Sequence, residues 1–171
     1  MLKTLKYILR ANEFLRLPKK MRSIVFYSEG KNYWPLFKGL IDGILDQSDT
    51  YVCYISSGED DPGFKYSHNH FSSFLIDDSY VRNWLFENMK ADILIMTMPD
   101  LNNYQVKRSK HPVHYIYVQH SLLSLHMAYR PGAFDWFDTI FCSGPHQVDE
   151  IRCLEQKYNL PQKKILEHGY A

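Results

Sequence analysis

One histidine holds the position in this chain best suited to chemistry. The apolar run Tyr115-Ile-Tyr-Val118 reads as a β-strand and ends on Gln119-His120-Ser121. In open parallel α/β sheets, ligands collect outside the carboxyl ends of the strands, so an imidazole there faces a crevice and not the core. An imidazole with a reference pKa near 6.5 is available in its neutral form at neutral pH. It can then take a proton from an attacking hydroxyl, help that is typically worth about 10²–10⁴-fold in rate. His120 is the candidate catalytic base. Ser121 and Ser124 follow it and read as substrate or turn hydrogen bonders, because no Gly-x-Ser-x-Gly elbow surrounds them. Tyr129 and Arg130, with His126, sit on the same connection and could shape a groove for an acceptor.

A second group follows the first predicted strand, in the loop Ser28-Glu29-Gly30-Lys31-Asn32. Its single glycine excludes both the dinucleotide fingerprint and the phosphate loop, and with them the usual modes of NAD, FAD and ATP binding. Glu29 and Lys31 could contact a polar substrate, with Gly30 allowing close backbone approach. The competing reading is a plain helix entry capped by Asn32, with Glu29 solvated. His68-x-His70 and His146 with Asp149-Glu150 lack a third ligand at metal spacing, so neither a metal nor a cofactor is expected.

These residues must be positioned by alternating strand and helix signals. Strands are predicted at 23–28, 51–55, 71–76, 93–98, 114–119, 139–143 and 164–167, and helices at 32–47, 80–90 and 145–158, the second of these with Val81, Trp84, Leu85 and Met89 inward. The pattern is that of an α/β, Rossmann-like parallel sheet flanked by helices. Pro145 suits a first helical turn, and Leu160-Pro161 stops that helix. Ser57-Gly-Glu-Asp-Asp-Pro-Gly63 reads as a surface turn.

The chain has 171 residues, 45% of them apolar and 15% aromatic, the composition of one globular domain. Cys53, Cys142 and Cys153 show no CxxC spacing and read as buried, reduced thiols of a cytoplasmic protein. The formal net charge of +1 conceals an asymmetry. Residues 1–22 hold seven Lys or Arg and one Glu, a net +6, which leaves −5 for residues 23–171. A mildly acidic body argues against nucleic acid as a partner. On a helix over 2–17, Leu2, Leu5, Ile8, Leu9 and Leu15 gather on one side with Lys3, Lys6 and Arg10 beside them. That basic amphipathic segment suits either peripheral contact with an anionic membrane or packing on protein. No apolar run reaches the roughly 20 residues of a membrane span.

Tyr117-Val-Gln-His-Ser-Leu-Leu-Ser124 and Gly132-Ala-Phe-Asp-Trp-Phe-Asp-Thr-Ile-Phe-Cys-Ser-Gly-Pro-His-Gln-Val-Asp-Glu-Ile-Arg152 together resemble the CDP-glycerol glycerophosphotransferase family, the teichoic-acid-type polyol phosphate transferases. Phe26-Tyr-Ser-Glu-Gly-Lys-Asn-Tyr33, Thr97-Met-Pro-Asp-Leu101 and His168-Gly-Tyr170 look like further segments of it. The resemblance covers about 23–170. It implies the N-terminal lobe of a two-lobed GT-B-type fold: a basic segment at 1–22, an acceptor-side domain at 23–171, and a donor-binding lobe outside the chain. It further implies transfer of glycerol phosphate from CDP-glycerol to a hydroxyl of a cell-envelope polysaccharide or lipid-linked acceptor, with His120 matching the base of the family's His-Gly-x-Pro-like motif. Here Ser121 replaces the glycine and Leu123 the proline. The expected location is the cytoplasm, with peripheral contact at the inner membrane face if the basic segment meets lipid. Two other readings stay open: a lobe of a GT-B nucleotide-sugar glycosyltransferase, and a non-catalytic Rossmann-like binding module.

Overall fold

A computed structural model describes residues 2–104 and 106–169. Seven strands form one sheet: β1 (Ile24–Ser28), β2 (Val52–Ser56), β3 (Phe71–Leu75), β4 (Ile93–Met96), β5 (His114–Val118), β6 (Thr139–Cys142) and β7 (Lys164–Glu167). Their order is β3-β2-β1-β4-β5-β6-β7, and every pairing is parallel. The α/β, Rossmann-like expectation holds, and so does each predicted strand. β2 is buried along its whole length, as a central parallel strand must be when both its faces are covered.

The helices are α1 (Leu2–Arg16), α2 (Trp34–Gln47), α3 (Ser79–Asn88), the single turn α4 (Leu125–Ala128) and α5 (Pro145–Tyr158). The chain leaves β1 towards β2 and β3, then returns past β1 and builds β4 to β7 in the other direction. Right-handed crossovers therefore place α2 on one face and the connections that follow β3 on the other. Two apolar clusters record this division. Under α2, Trp34, Phe37 and Ile41 pack on Phe26, Tyr54, Ile95 and Val118. On the opposite face Leu85, Phe134 and Ile151 pack on Tyr27, Met96, Tyr117 and Ile140.

The crossovers leave half of each face without a helix of its own. On the face opposite α2, α1 fills that vacancy at the β3 edge, with Tyr7, Ala11 and Phe14 in the core and Phe14 edge-on to Phe74 at 5.6 Å. On the α2 face, the half over β5 to β7 keeps Ile116 and Phe141 half-buried and Leu166 exposed.

Several local expectations are corrected. The packed face of α1 is Tyr7-Ala11-Phe14, while Leu5, Ile8 and Leu9 point outward. Trp84 is 45% exposed, because α3 meets the sheet through Val81, Leu85 and Phe86. A 3-10 turn at Lys31–Tyr33 precedes α2, so Asn32 caps nothing and Tyr33 takes the N-cap position without a side-chain bond. Cys153 lies on the outer side of α5 and is exposed, unlike Cys53 and Cys142. The turn expected at the surface, 57–63, contains the buried Asp61 and Gly63.

Candidate functional site

The direction of strand growth reverses between β1 and β4, so their carboxyl ends open the crevice at which this architecture binds ligands. Ser28-Glu29-Gly30 forms one bank, and Thr97-Met98-Pro99-Asp100 followed by Gln119-His120 forms the other. The banks meet where Tyr33, in the turn after β1, sets its ring edge-on to His120 at 5.4 Å.

On the β1 and β2 side the lip is closed by hydrogen bonds. One oxygen of Asp61 accepts from the hydroxyls of Ser56 (2.6 Å), Tyr54 (2.9 Å) and Ser28 (3.0 Å), and the other accepts from the Gly63 amide (2.9 Å). Burial pushes the Tyr54 phenol well above its ordinary range. Glycine is required at position 63, because a Cβ there would lie 2.4 Å from the Tyr54 ring. Gly30 (φ +152°) approaches Gly58, whose own Cβ would come within 2.8 Å of the Gly30 Cα. The close backbone approach expected of Gly30 is therefore made to the neighbouring loop.

Beyond β1 the accounting reverses. Among the described residues, every buried side-chain nitrogen or oxygen without a partner lies at the carboxyl ends of β4 to β7: Thr97 Oγ1, Asp100 Oδ1, both amide atoms of Gln119, His120 Nδ1, Ser143 Oγ and His168 Nε2. An unpaired buried polar atom costs roughly 1–3 kcal/mol, and native proteins keep few of them. Their confinement to one lip marks the place where a ligand would supply the missing bonds. Asp100 and Asn102 also hold left-handed backbone conformations (φ +62° and +64°) in the turn that follows β4.

His120 is half-buried, and its buried Nδ1 has no hydrogen-bond partner among the described residues. Burial lowers its pKa, against the smaller opposing effect of the Val118 carbonyl, so the ring is neutral at pH 7 and competent to accept a proton. Glu29 has an exposed side chain, yet crowding by neighbouring atoms raises its carboxyl pKa, with Arg82 pulling it back. Burial also raises the pKa of Tyr33, and the Glu29 charge adds to the rise, which ties Glu29 to the same crevice.

The remaining predicted residues are engaged in holding the fold. Lys31 pairs with Asp60 at 2.6 Å on the surface. Arg130 pairs with Asp100 at 3.3 Å and lies over the Tyr104 ring, 4.6 Å from its centre, so it clamps the 130 loop to the β4 lip. The Tyr129 hydroxyl accepts from Tyr117 at 3.2 Å and closes the wall behind the crevice. Ser124 donates to Glu150, which also accepts from the backbone N–H groups of Leu125 and His126. Burial raises the Glu150 pKa, but those hydrogen bonds outweigh it and hold the carboxylate below its usual range. Ser121 stays half-exposed beside His120, and its carbonyl accepts from Gln147 at 2.9 Å.

Gln147 was not foreseen as a site residue. Fully buried at the start of α5, it accepts from the Ser143 amide (2.8 Å) and donates to the carbonyls of Ser121 and Leu123. It thus fastens the connection that carries His120 to the end of β6. A polar amide on the inward face of a helix was the available signal. A cavity of about 230 Å³ between the 125–135 segment and α5 includes neither His120 nor Glu29 in its lining. We therefore place the site by its unpaired polar atoms and its position on the sheet.

Comparison with protein-family models, with curated proteins and with solved structures finds no match to this chain. No group of three or more His, Cys, Asp or Glu is placed to hold a metal ion among the described residues, and no helix there is long and apolar enough to cross a membrane.

Proposed function

We propose that this chain is the acceptor-side lobe of a polyol-phosphate transferase of cell-envelope polysaccharide synthesis. The observation that carries the reading is His120 at the lip of β5, its pKa lowered by burial and its Nδ1 without a partner, beside further unpaired groups that suit hydroxyls. Support also comes from the resemblance of 117–124 and 132–152 to the CDP-glycerol glycerophosphotransferases. In the reaction, the acceptor hydroxyl gives its proton to His120 as its oxygen forms a bond to the β-phosphorus of CDP-glycerol. The pyrophosphate linkage breaks, and CMP leaves. Phosphoryl transfer relies on positioning and on neutralising phosphate charge. Among the described residues the lip offers a base and hydrogen-bonding partners but no cluster of free cations, so the donor is assigned to a second lobe.

The test is release of CMP from CDP-glycerol in the presence of a glycerol-phosphate primer. The 171-residue chain alone is expected to release none, and turnover by it overturns the division between lobes. In a protein that joins this lobe to a donor lobe, His120→Gln is expected to lower kcat by about 10²–10⁴-fold with the fold intact. Unchanged turnover there removes His120 as base and favours the non-catalytic module. Transfer from a UDP or GDP sugar in place of CDP-glycerol would favour the glycosyltransferase reading.

The proposal includes peripheral contact with the inner face of the membrane. Outward Leu5, Ile8 and Leu9 lie beside the exposed Lys3, Lys6 and Arg10, while the opposite side of α1 is already in the core. Each basic residue near an anionic surface is worth about 1 kcal/mol. The chain is expected to co-sediment with vesicles containing phosphatidylglycerol, and Leu5→Ser with Leu9→Ser to lose most of that binding without unfolding. Equal binding by the variant would count against the contact.

A further inference from the structure

The sheet ladder runs past the formal strand ends. The Gln119 N–H donates to the Phe141 carbonyl at 3.0 Å, and the His168 N–H donates to the Cys142 carbonyl at 2.9 Å. Extending the registers Val118↔Phe141 and Cys142↔Glu167 sets His120 opposite Ser143 and Ser143 opposite His168. With adjacent strands roughly 4.8 Å apart, the two histidine backbones stand about 10 Å apart with a small serine between them. Both rings lie on the α2 side of the sheet. His120 meets Tyr33, and His168 meets Phe141 at 6.0 Å, and both aromatic partners pack with the cluster under α2. That is the side on which β5 to β7 carry no helix among the described residues.

Each member of this His-Ser-His row holds a buried atom without a partner: His120 Nδ1, Ser143 Oγ and His168 Nε2. Ser143 is 9% exposed, and Gln119, one residue before His120, is fully buried. The missing partner can be described by its chemistry. Burial lowers the His168 pKa as it does that of His120, against the pull of the Gln119 carbonyl, so the row is uncharged at neutral pH. Arg130 and Arg152 on neighbouring elements are already paired with Asp100 and Glu155. A phosphate group would find neither a free cation in the row nor a nest of amides. A hydroxyl donates and accepts at once, so it can bond an imidazole nitrogen on one side and a serine hydroxyl on the other.

We infer that His168 and Ser143 form a second subsite beside His120 that binds a neutral polyhydroxyl group, a sugar or polyol presenting adjacent hydroxyls. His168 holds one hydroxyl while His120 takes the proton of its neighbour. The inference rests on the proposed placement of the acceptor at this lip, and adds to it a residue and a substrate class.

Histidine ring resonances of the full chain, followed by NMR and assigned with His120→Gln and His168→Gln, test it without any turnover. Titration with glycerol and with glucose is expected to shift both rings, whereas 1-propanol and inorganic phosphate leave His168 in place. His168→Gln and Ser143→Ala are each expected to weaken glucose binding about tenfold, with the His120 signal still reporting the fold. Movement of His120 alone overturns the second subsite and leaves the transferase proposal standing. A shift of His168 with inorganic phosphate overturns the neutral-ligand assignment. No shift of either ring, up to molar glycerol or glucose, overturns both the subsite and the placement of the acceptor.

Discussion

The two halves of the sheet's carboxyl edge treat buried polar atoms in opposite ways. Around β1 and β2, three hydroxyls and an amide converge on Asp61, and no buried side-chain polar atom of the described residues is left without a partner. Around β4 to β7, seven buried side-chain polar atoms of the described residues have no partner. Both edges belong to one sheet with one strand direction, so architecture alone does not explain the contrast. A folding requirement is expected to satisfy its polar groups internally, and a binding site is expected to leave them for a ligand. The contrast supports the proposal that one half of the lip holds the fold and the other binds a ligand.

The strongest way to break the comparison is at Asp61. Asp61→Ala would strand the hydroxyls of Ser28, Tyr54 and Ser56 and the Gly63 amide at a buried site. The expected loss is roughly 3–5 kcal/mol, a fall in Tm on the order of 10 °C by thermal unfolding. If the edge is structural, a variant rescued by low temperature binds polyols as the parent does. A stability change below about 1 kcal/mol would show that Asp61 is no hub and that the two halves do not differ as described.

The sheet was legible because short apolar runs and helical spacing are local signals, and parallel order follows from their alternation. The Asp61 hub was not, since Ser-Gly-Glu-Asp-Asp-Pro-Gly has the composition of a solvated turn and its partners come from two other strands. Serines at the ends of two buried strands, Ser28 and Ser56, were the clue, because each needs an acceptor. In α1 leucine count misled: Tyr7, Ala11 and Phe14 form the packed stripe because a small alanine lets the helix approach the sheet closely. His120 was singled out as a candidate from its place after a strand. Its neighbours Ser143 and His168 depend on cross-strand register, which no local pattern specifies.

A smaller effect of opposite sign sharpens the same contrast. Ser56→Ala removes a hydroxyl that Asp61 uses and is expected to cost about 1 kcal/mol. Thr97→Val removes a buried hydroxyl with no partner, exchanges it for a methyl group of similar shape, and is expected to stabilise by about 1 kcal/mol. Denaturant titration reads both. Stabilisation bought by deleting a site group should appear as weaker polyol binding, the usual trade between stability and function. Thr97→Val behaving like Ser56→Ala would place β4 with the structural half.

The smallest expected effect concerns acid. Burial holds His120 and His168 below their ordinary pKa, so between about pH 6.5 and their lower folded values the unfolded chain binds more protons than the folded one. Stability from these rings is therefore complete above that window and declines as pH falls through it. Because both side chains are partly exposed, solvent screening keeps the contribution below that of the Thr97 exchange. Replacing both with glutamine should flatten the stability profile below pH 6.5. A bound polyol that pairs with the neutral nitrogens should deepen the decline in the parent and have no such effect in the double variant. An unaltered profile would mean that neither ring is held neutral by the fold, and the proposed role of His120 as a base would lose its support.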